Sequence, residues 1–396
     1  MLSDRQLFLN FLAQTSDAPL MLEIESAKGI FMYDRKGKEY MDLISGVSVS
    51  YLGHNNPEIV QAIKNQVDKH LHLMVYGEFI QSPQVKYAEL LSSNLPGNLD
   101  SVYFVNSGAE AIEGAMKIAK RVTGRSKIIA FKNAYHGSTQ GALSLMGGEY
   151  YKANYRPLLP GIKFLNFNNV PDLDMISTNT ACVVVDPIQS EAGISLPENN
   201  FLSDLRKKCD QTGTLLVFDE VQSGFGRLGK LFACQLYNVN PDILVLAKSI
   251  GGGMPLGAFI SSREIMSTIT NNPVLGHITT FGGHPVSCAA GMAAFQILLR
   301  ENLADTIEEK EKMFRKYLKN KSIIEIRGKG LLLAIELGSK ELMHKVHKKA
   351  IENGIVTDWF LFCDTAIRIS PALTITPDEI KFACERLLFS IDQSIG

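Results

Sequence analysis

The chain has no CxxC pair and no histidine cluster beside its six cysteines, which stand at 182, 209, 234, 288, 363 and 384. Neither a zinc framework nor a disulfide scaffold is expected. Free thiols in a reducing compartment, the cytoplasm, fit this usage instead. Charge of one sign is missing too: 40 basic residues against 41 acidic leave a net charge of -1. That balance gives no general attraction to nucleic acid or to a membrane surface. No apolar run is long enough to span a bilayer, and the opening MLSDRQLFLNFLAQ carries an acid early and lacks the apolar core of a secretory signal. No Walker lysine follows Asn106-Ser107-Gly108, and no GxGxxG follows the first strand of the α/β region, so a nucleotide-binding or regulatory module is disfavoured. Internal repeats and low-complexity segments are absent. What is present is an ordinary globular composition, 45% hydrophobic and 20% charged over 396 residues, enough for a sizeable core and two or three domains.

Short apolar runs recur from residue 101 onward. They cover 101–105, 127–131, 161–165, 181–185, 215–219, 243–247 and 257–261, with helical or long connections between them. Runs of this kind read as strands buried on both faces, so a doubly wound α/β fold with a mainly parallel seven-stranded sheet is expected. Before it, residues 30–42 read as a hairpin about Gly37 in an otherwise irregular segment, and the small residues of 45–57 suit a stretch lying close against something. After residue 285 the pattern turns α+β, with strands about Gly328-Lys329-Gly330 and at 367–370, and Thr376 capping a last helix. The expected division is 1–60 and 291–396 in a smaller α+β domain built from both chain ends, with 61–290 as the large domain.

Two of the apolar runs end in charge: Leu215-Leu216-Val217-Phe218 leads into Asp219, and Ile243-Leu244-Val245-Leu246-Ala247 into Lys248. Taken alone these are ordinary strand-end charges as readily as a site. Ligands of open α/β sheets do collect at the carboxyl ends of strands. A lysine amine condenses with an aldehyde as a Schiff base, and pyridoxal phosphate is the cofactor built on that bond; its ring nitrogen needs an acid. Asp219 and Lys248 suit the two ends. Ser107-Gly108-Ala109, between a strand and a helix, suits a phosphate, although a plain capped turn has the same look. Thr279-Thr280-Phe281-Gly282-Gly283 is a second phosphate candidate. Tyr135-His136-Gly137 offers an aromatic face, or simply a core aromatic.

These stretches carry a resemblance. LLVFDEVQSGFGRLGK, LAKSIGGGMPLGA, TTFGGHP, NSGAEAIEGAMKIAK, AYHGST and DPIQSEAG, in that family's order, are similar to the class III pyridoxal-phosphate aminotransferases. This fold-type I group includes the ornithine, acetylornithine and 4-aminobutyrate enzymes, and the likeness runs from about Gly29 to Pro371. It implies that Lys248 bonds to the cofactor aldehyde and moves protons, and that Asp219 meets the ring nitrogen. It implies that Gln222, one helical turn on, meets the ring hydroxyl. Ser107, Gly108 and Ala109 would hold the phosphate, and Tyr135, with His136 beside it, would lie on the ring. Thr280 would reach the phosphate of a neighbouring subunit, which implies a homodimer with shared active sites. Arg368 would bind a substrate α-carboxylate, with Glu191 pairing with it until that substrate arrives. The implied reaction moves an amine, the terminal one of an ornithine- or acetylornithine-like ω-amino acid, to a 2-oxo acid. Amine:pyruvate transaminases, aminomutases, decarboxylases and epimerases share the cofactor motifs. The chain departs from the pattern at Ser138, where members that hold a distal carboxylate carry arginine, and at Asp186, where several carry glutamate. Arg156 is the one nearby arginine considered as a replacement.

Overall fold

Residues 2–395 are described by the computed structural model. The chain opens with a helix, Asp4–Phe11, where the sequence reading has irregular chain. Its signal is a capping box: Ser3 and Gln6 satisfy each other's backbone N–H groups. No residue of this helix is buried, so an apolar face does not define it. Strands β1 (Ile24–Lys28), β2 (Phe31–Asp34) and β3 (Glu39–Asp42) follow. β2 and β3 are the expected hairpin. Asp34 Oδ1 accepts the N–H groups of Lys36 and Lys38, both at 2.9 Å, and Gly37 takes φ 79° in the turn.

The small-residue stretch does lie close against something. Ser45, Gly46, Val47 and Ser48 have φ of 50°, 57°, 62° and 63°, a single left-handed turn. Such a turn is costly for residues other than glycine, most of all for β-branched Val47. Its anchors offset the cost. Asp42 accepts the N–H groups of Ile44 and Gly46, Ser45 Oγ donates to the Ser370 carbonyl, and Ser249 Oγ donates to the Ser48 carbonyl at 2.7 Å. The last bond ties this turn to the residue after Lys248.

Strands β4 (Ser101–Val105), β5 (Lys127–Phe131), β6 (Ile162–Leu165), β7 (Thr180–Val185), β8 (Leu215–Asp219), β9 (Ile243–Leu246) and β10 (Gly257–Ser261) form one sheet in the order β4-β10-β9-β8-β7-β5-β6. The seven expected runs are these strands. β7 to β9 and their neighbours β5 and β6 pair in parallel, and β10 runs antiparallel to both β4 and β9. The connection from β9 to β10, residues 247–256, is too short for a parallel crossover, which takes about a dozen residues or more. Side chains alternate between the faces. Val183, Val185, Leu216, Phe218, Leu244 and Leu246 enter one core layer, while Cys182, Val184, Val217, Ile243 and Val245 enter the other, beneath the Gly108–Thr123 helix. A third sheet holds β11 (Glu325–Lys329), β12 (Leu332–Glu336), β14 (Asp358–Phe360) and β15 (Cys363–Ile369), while β13 (Ile355–Val356) pairs in parallel with β3. Both ends of the chain thus share one sheet.

The Pro285–Arg300 helix backs the Lys248 turn. Gly291 is its contact point, since a Cβ there would lie 2.0 Å from the Ile250 carbonyl oxygen. The helix before β4 runs Ser82–Ser92, with Pro83 in its first turn.

Candidate active site

Five strands of the large sheet, β4, β5, β7, β8 and β9, which run in one direction, deliver chemistry past their carboxyl ends. Asp219 ends β8, Lys248 follows β9, Ser107 follows β4, Tyr135 and His136 follow β5, and Asp186 follows β7. All line one cavity of about 470 Å³, together with Gly108, Ala109, Ser138, Glu191, Val221 and Gln222. This is where ligands sit in sheets of this class.

At one end Ser107 caps the Gly108–Thr123 helix, its Oγ accepting the Glu110 N–H at 3.2 Å. The N–H groups of Gly108 and Ala109 fall in the first turn, where no helical carbonyl can accept them. They are joined there by the positive end of a helix dipole. A Cβ on Gly257 would sit 2.4 Å from the Ser107 carbonyl oxygen, so glycine in β10 is what lets this turn pack down. The result is an anion cradle.

Asp219 is fixed by two contacts. Its Oδ1 accepts the Val221 N–H at 3.0 Å, and its Oδ2 lies 2.7 Å from His136 Nδ1. An ionised carboxylate only accepts, so that nitrogen carries the proton. Burial pulls His136 down, but Asp186 and then Asp219 outweigh it and leave the imidazole raised above its ordinary value. Asp186 lies 4.0 Å from the same nitrogen, and burial holds its carboxyl well above the usual range. His136 therefore serves the acid and does not present a free ring.

Lys248 has φ 53°, in the left-handed region that a side chain disfavours. Desolvation pushes its ammonium down to about 8; Arg368 acts the same way, and the carboxylates of Glu191, Asp219 and Asp186 oppose. An amine at that value is partly unprotonated near neutrality and can act as nucleophile and base.

Arg368, on β15, and Glu191 form a buried bidentate pair at 2.8 and 2.9 Å. The Gln222 amide bridges them, donating to Glu191 at 3.0 Å and accepting from Arg368 at 3.2 Å. Residues 221–230 are successive turns and not the helix that the spacing of Gln222 from Asp219 implies. The guanidinium also donates to the Trp359 carbonyl and lies over the Phe360 ring. Burial raises the Glu191 carboxyl, but Arg368 overrides it and holds the group below its ordinary value. Its contribution to stability is then fully present above the ordinary carboxylate range and is lost as pH falls through the depressed value. Glu191→Gln strands a buried cation, and a loss of about 3 kcal/mol at pH 7 is expected. Denaturant titration checks this: the gap to the wild type should shrink as pH falls below the ordinary carboxylate range, and equal midpoints at pH 7 would refute the pairing.

Tyr135 is half-buried at the cavity wall, its hydroxyl 3.2 Å from Ser138 Oγ. Thr280 is exposed and does not line the cavity. Nor does Arg156: its guanidinium is held on the surface by both oxygens of Glu149, at 2.9 and 2.8 Å. Val49, Ser190 and Val221 also line the cavity without having been named as site residues, although Val49 lies in the small-residue stretch 45–57, Ser190 in DPIQSEAG and Val221 between Asp219 and Gln222.

The residues fit pyridoxal phosphate on structural grounds alone. The anion cradle, the acid and the amine share one cavity, and the helix N–H groups have no helical acceptor.

Comparison with known proteins agrees. The chain matches the family Aminotransferase class-III over residues 12–390. It is 38% identical over 365 residues to the acetylornithine aminotransferase of Methanopyrus kandleri, covering 91% of this chain and 92% of that one. The ornithine aminotransferase structure from Toxoplasma gondii superposes with a TM-score of 0.91 at 31% identity, over 98% of this chain and 93% of that one. An (S)-enantioselective omega-transaminase from Thermomicrobium roseum gives 0.91 at 27% identity, over 98% and 97%. The chain therefore belongs to the class-III aminotransferase family, with pyridoxal 5′-phosphate as its cofactor and transamination as its reaction.

Proposed function

We propose that the protein transfers the terminal amine of an ornithine-like or N-acylornithine-like ω-amino acid to a 2-oxo acid. The observation that carries this reading is the Arg368–Glu191 pair beside the Lys248 cavity. A planar guanidinium matches a carboxylate bidentately. Masked by Glu191, it leaves a neutral pocket for a substrate whose amine enters first; unmasked, it binds an amino or 2-oxo acid carboxylate. The relatives named acetylornithine and ornithine aminotransferase support the same substrate class.

Pyridoxal phosphate, when bound, supplies an electrophilic aldehyde carbon and an electron-accepting ring. The chain supplies the rest. Ser107, Gly108 and Ala109 hold the phosphate, and Tyr135 covers the ring. Asp219, oriented by His136, would keep the ring nitrogen protonated, and Gln222, whose amide already bridges Glu191 and Arg368, would meet the ring hydroxyl. Lys248 Nζ would hold the cofactor through its aldehyde carbon and, once displaced by the substrate amine, would carry a proton from the substrate carbon to the cofactor carbon. A panel of donors mixed with the loaded enzyme tests this. Ornithine or N-acetylornithine should convert the cofactor spectrum to the amine form, with a 2-oxo acid restoring it. Carbon dioxide release or racemisation without a 2-oxo acid would replace this reading with a decarboxylase or epimerase.

The working unit on this reading is a homodimer with shared sites. Leu71, Phe79 and Ile80, and Val274, Ile278 and Phe281, are exposed apolar residues on the two segments flanking Thr280 and the β4 edge; Ile80 is 96% exposed. Apolar surface of this kind marks an interface. The family resemblance implies that Thr280 of a second copy seated there reaches the phosphate cradle. Sedimentation should give a dimer that Ile80→Asp with Phe281→Asp drives toward monomer; a monomeric wild type would end the proposal. The division into 1–60 with 291–396, and 61–290, is part of the same reading. So is a cytoplasmic location without nucleic-acid or membrane partners. None of the six cysteines is paired, and no helix among the described residues is long and apolar enough to cross a membrane.

A further inference from the structure

We infer that the amino acceptor is a 2-oxo acid with a single carboxylate, and that Ser138 sets this preference. The inference rests on the transamination reading above and names the class of its second substrate.

The ground for it is the charge inventory of the cavity. Among the described residues that line it, Lys248 is the one lysine or arginine, and its amine is needed at the reacting carbon as the base. His136 is committed to Asp219. Arg368, just behind the wall, can receive one carboxylate. The carboxyl groups of the wall, Asp186, Glu191 and Asp219, bring no positive charge. A second substrate carboxylate would be desolvated with no cation to meet it, and buried charge is tolerated only when paired.

Three cations outside the lining are already engaged. Arg156 is held by Glu149, and Lys152 Nζ donates to the Met146 carbonyl at 2.8 Å and sits 4.0 Å from the Phe164 ring centroid. Arg327 holds the Gly193 carbonyl and Glu336. A second copy of the chain adds no cation from the segments that carry the proposed interface. The segments proposed to face it, 71–85 and 271–284, contain no lysine or arginine.

Ser138 is the position where a cation would matter. It lines the cavity, is exposed, and its side-chain contact is to the Tyr135 hydroxyl. A hydroxyl there can donate one hydrogen bond but brings no charge. Rejection of the dicarboxylate thus comes from what the wall lacks, a form of discrimination that costs the preferred substrate nothing.

The test uses the pyridoxal-phosphate-loaded dimer or whichever assembly purifies, converted to its amine form by a donor and then mixed with pyruvate or 2-oxoglutarate. Pyruvate should restore the original spectrum with a kcat/KM at least about tenfold above that of 2-oxoglutarate, and Ser138→Arg should shift the ratio toward 2-oxoglutarate by about tenfold or more. Unreactive analogues give a readout independent of turnover. Glutarate should bind the wild type no more tightly than butyrate, and Ser138→Arg should tighten glutarate alone. Equal or better use of 2-oxoglutarate by the wild type overturns the inference and leaves transamination standing. An unchanged ratio in Ser138→Arg overturns the role of Ser138. Failure of every 2-oxo acid to discharge the amine form overturns both the inference and the reading beneath it.

Discussion

Lys248→Ala is expected to lower kcat for amino transfer by about 10^4-fold or more, the upper range for removing a group that acts both as nucleophile and as acid–base. The expectation comes from where the amine sits. It follows the carboxyl end of β9, in a backbone conformation that a non-glycine residue adopts at a cost, and burial pushes it down to about 8. No other lysine lines the cavity to substitute for it. The cofactor should still enter, because the Ser107–Ala109 cradle and Asp219 are untouched, but it should dialyse away and lack the absorbance of the lysine adduct. A stability measurement separates loss of chemistry from loss of fold. Between about 8 and the ordinary lysine value the unfolded chain holds a proton that the folded chain does not, so native stability rises with pH across that window and the buried ammonium costs most below it. The cofactor-free alanine variant should therefore melt no lower than the cofactor-free wild type at pH 7. Substantial turnover with an unaltered cofactor spectrum would remove Lys248 from the mechanism.

The site could be read in sequence to the extent that it is made of strand ends. β7, β8 and β9 are buried on both faces, so each is an unbroken apolar run, and the charge that stops it falls at the carboxyl end by necessity. Asp219 and Lys248 stand out for that reason. The direction of β10 is different. Its run, Gly257 to Ser261, is as apolar as its neighbours, and a pattern of burial carries no sign of orientation. Only the short connection fixes it as antiparallel. β13 and β14 had no local signal, being a pair and a triplet of residues recruited by Met41, Asp42 and Arg368 across the chain. The Asp4–Phe11 helix buries nothing, so periodicity was silent and the Ser3–Gln6 box was the whole of its signature.

Second-layer contacts were the part that the linear chain hid. That His136 serves Asp219 and does not lie free on a ring depends on β5 and β8 sharing a sheet with β7 between them. Gln222 was expected at the cofactor and is found bridging Glu191 and Arg368 as well, residues from a loop and from another sheet. Arg156 was the one candidate for a missing cation, and a surface glutamate seven residues away holds it. Val49 reaches the cavity only because a strained left-handed turn is pinned by Asp42 and Ser249.

Asp219→Asn is the second substitution with a large expected effect, a fall in kcat of about 10^3-fold. Two unit charges about 4 Å apart interact by ~4 kcal/mol at an effective dielectric near 20, which is roughly three pKa units at the ring nitrogen. Without that support the nitrogen releases its proton near neutrality, and the ring loses its capacity to accept electrons from the substrate carbon. Asparagine keeps the shape: its one oxygen can still accept from the Val221 N–H, while its NH2 takes the place of Oδ2 and donates to His136 Nδ1 once that ring carries its proton on Nε2. The fold, cofactor stoichiometry and substrate KM should therefore stay close to those of the wild type while kcat falls. His136→Gln gives the contrast: it leaves the negative charge in place and removes only its orientation, so a smaller loss is expected. Reconstitution with a cofactor whose ring nitrogen is permanently charged by methylation should narrow the gap between Asp219→Asn and the wild type, because the charge no longer depends on the acid. If Asp219→Asn instead kept kcat and merely weakened cofactor retention, Asp219 would be an anchor for the ring and the proton at its nitrogen would have another keeper.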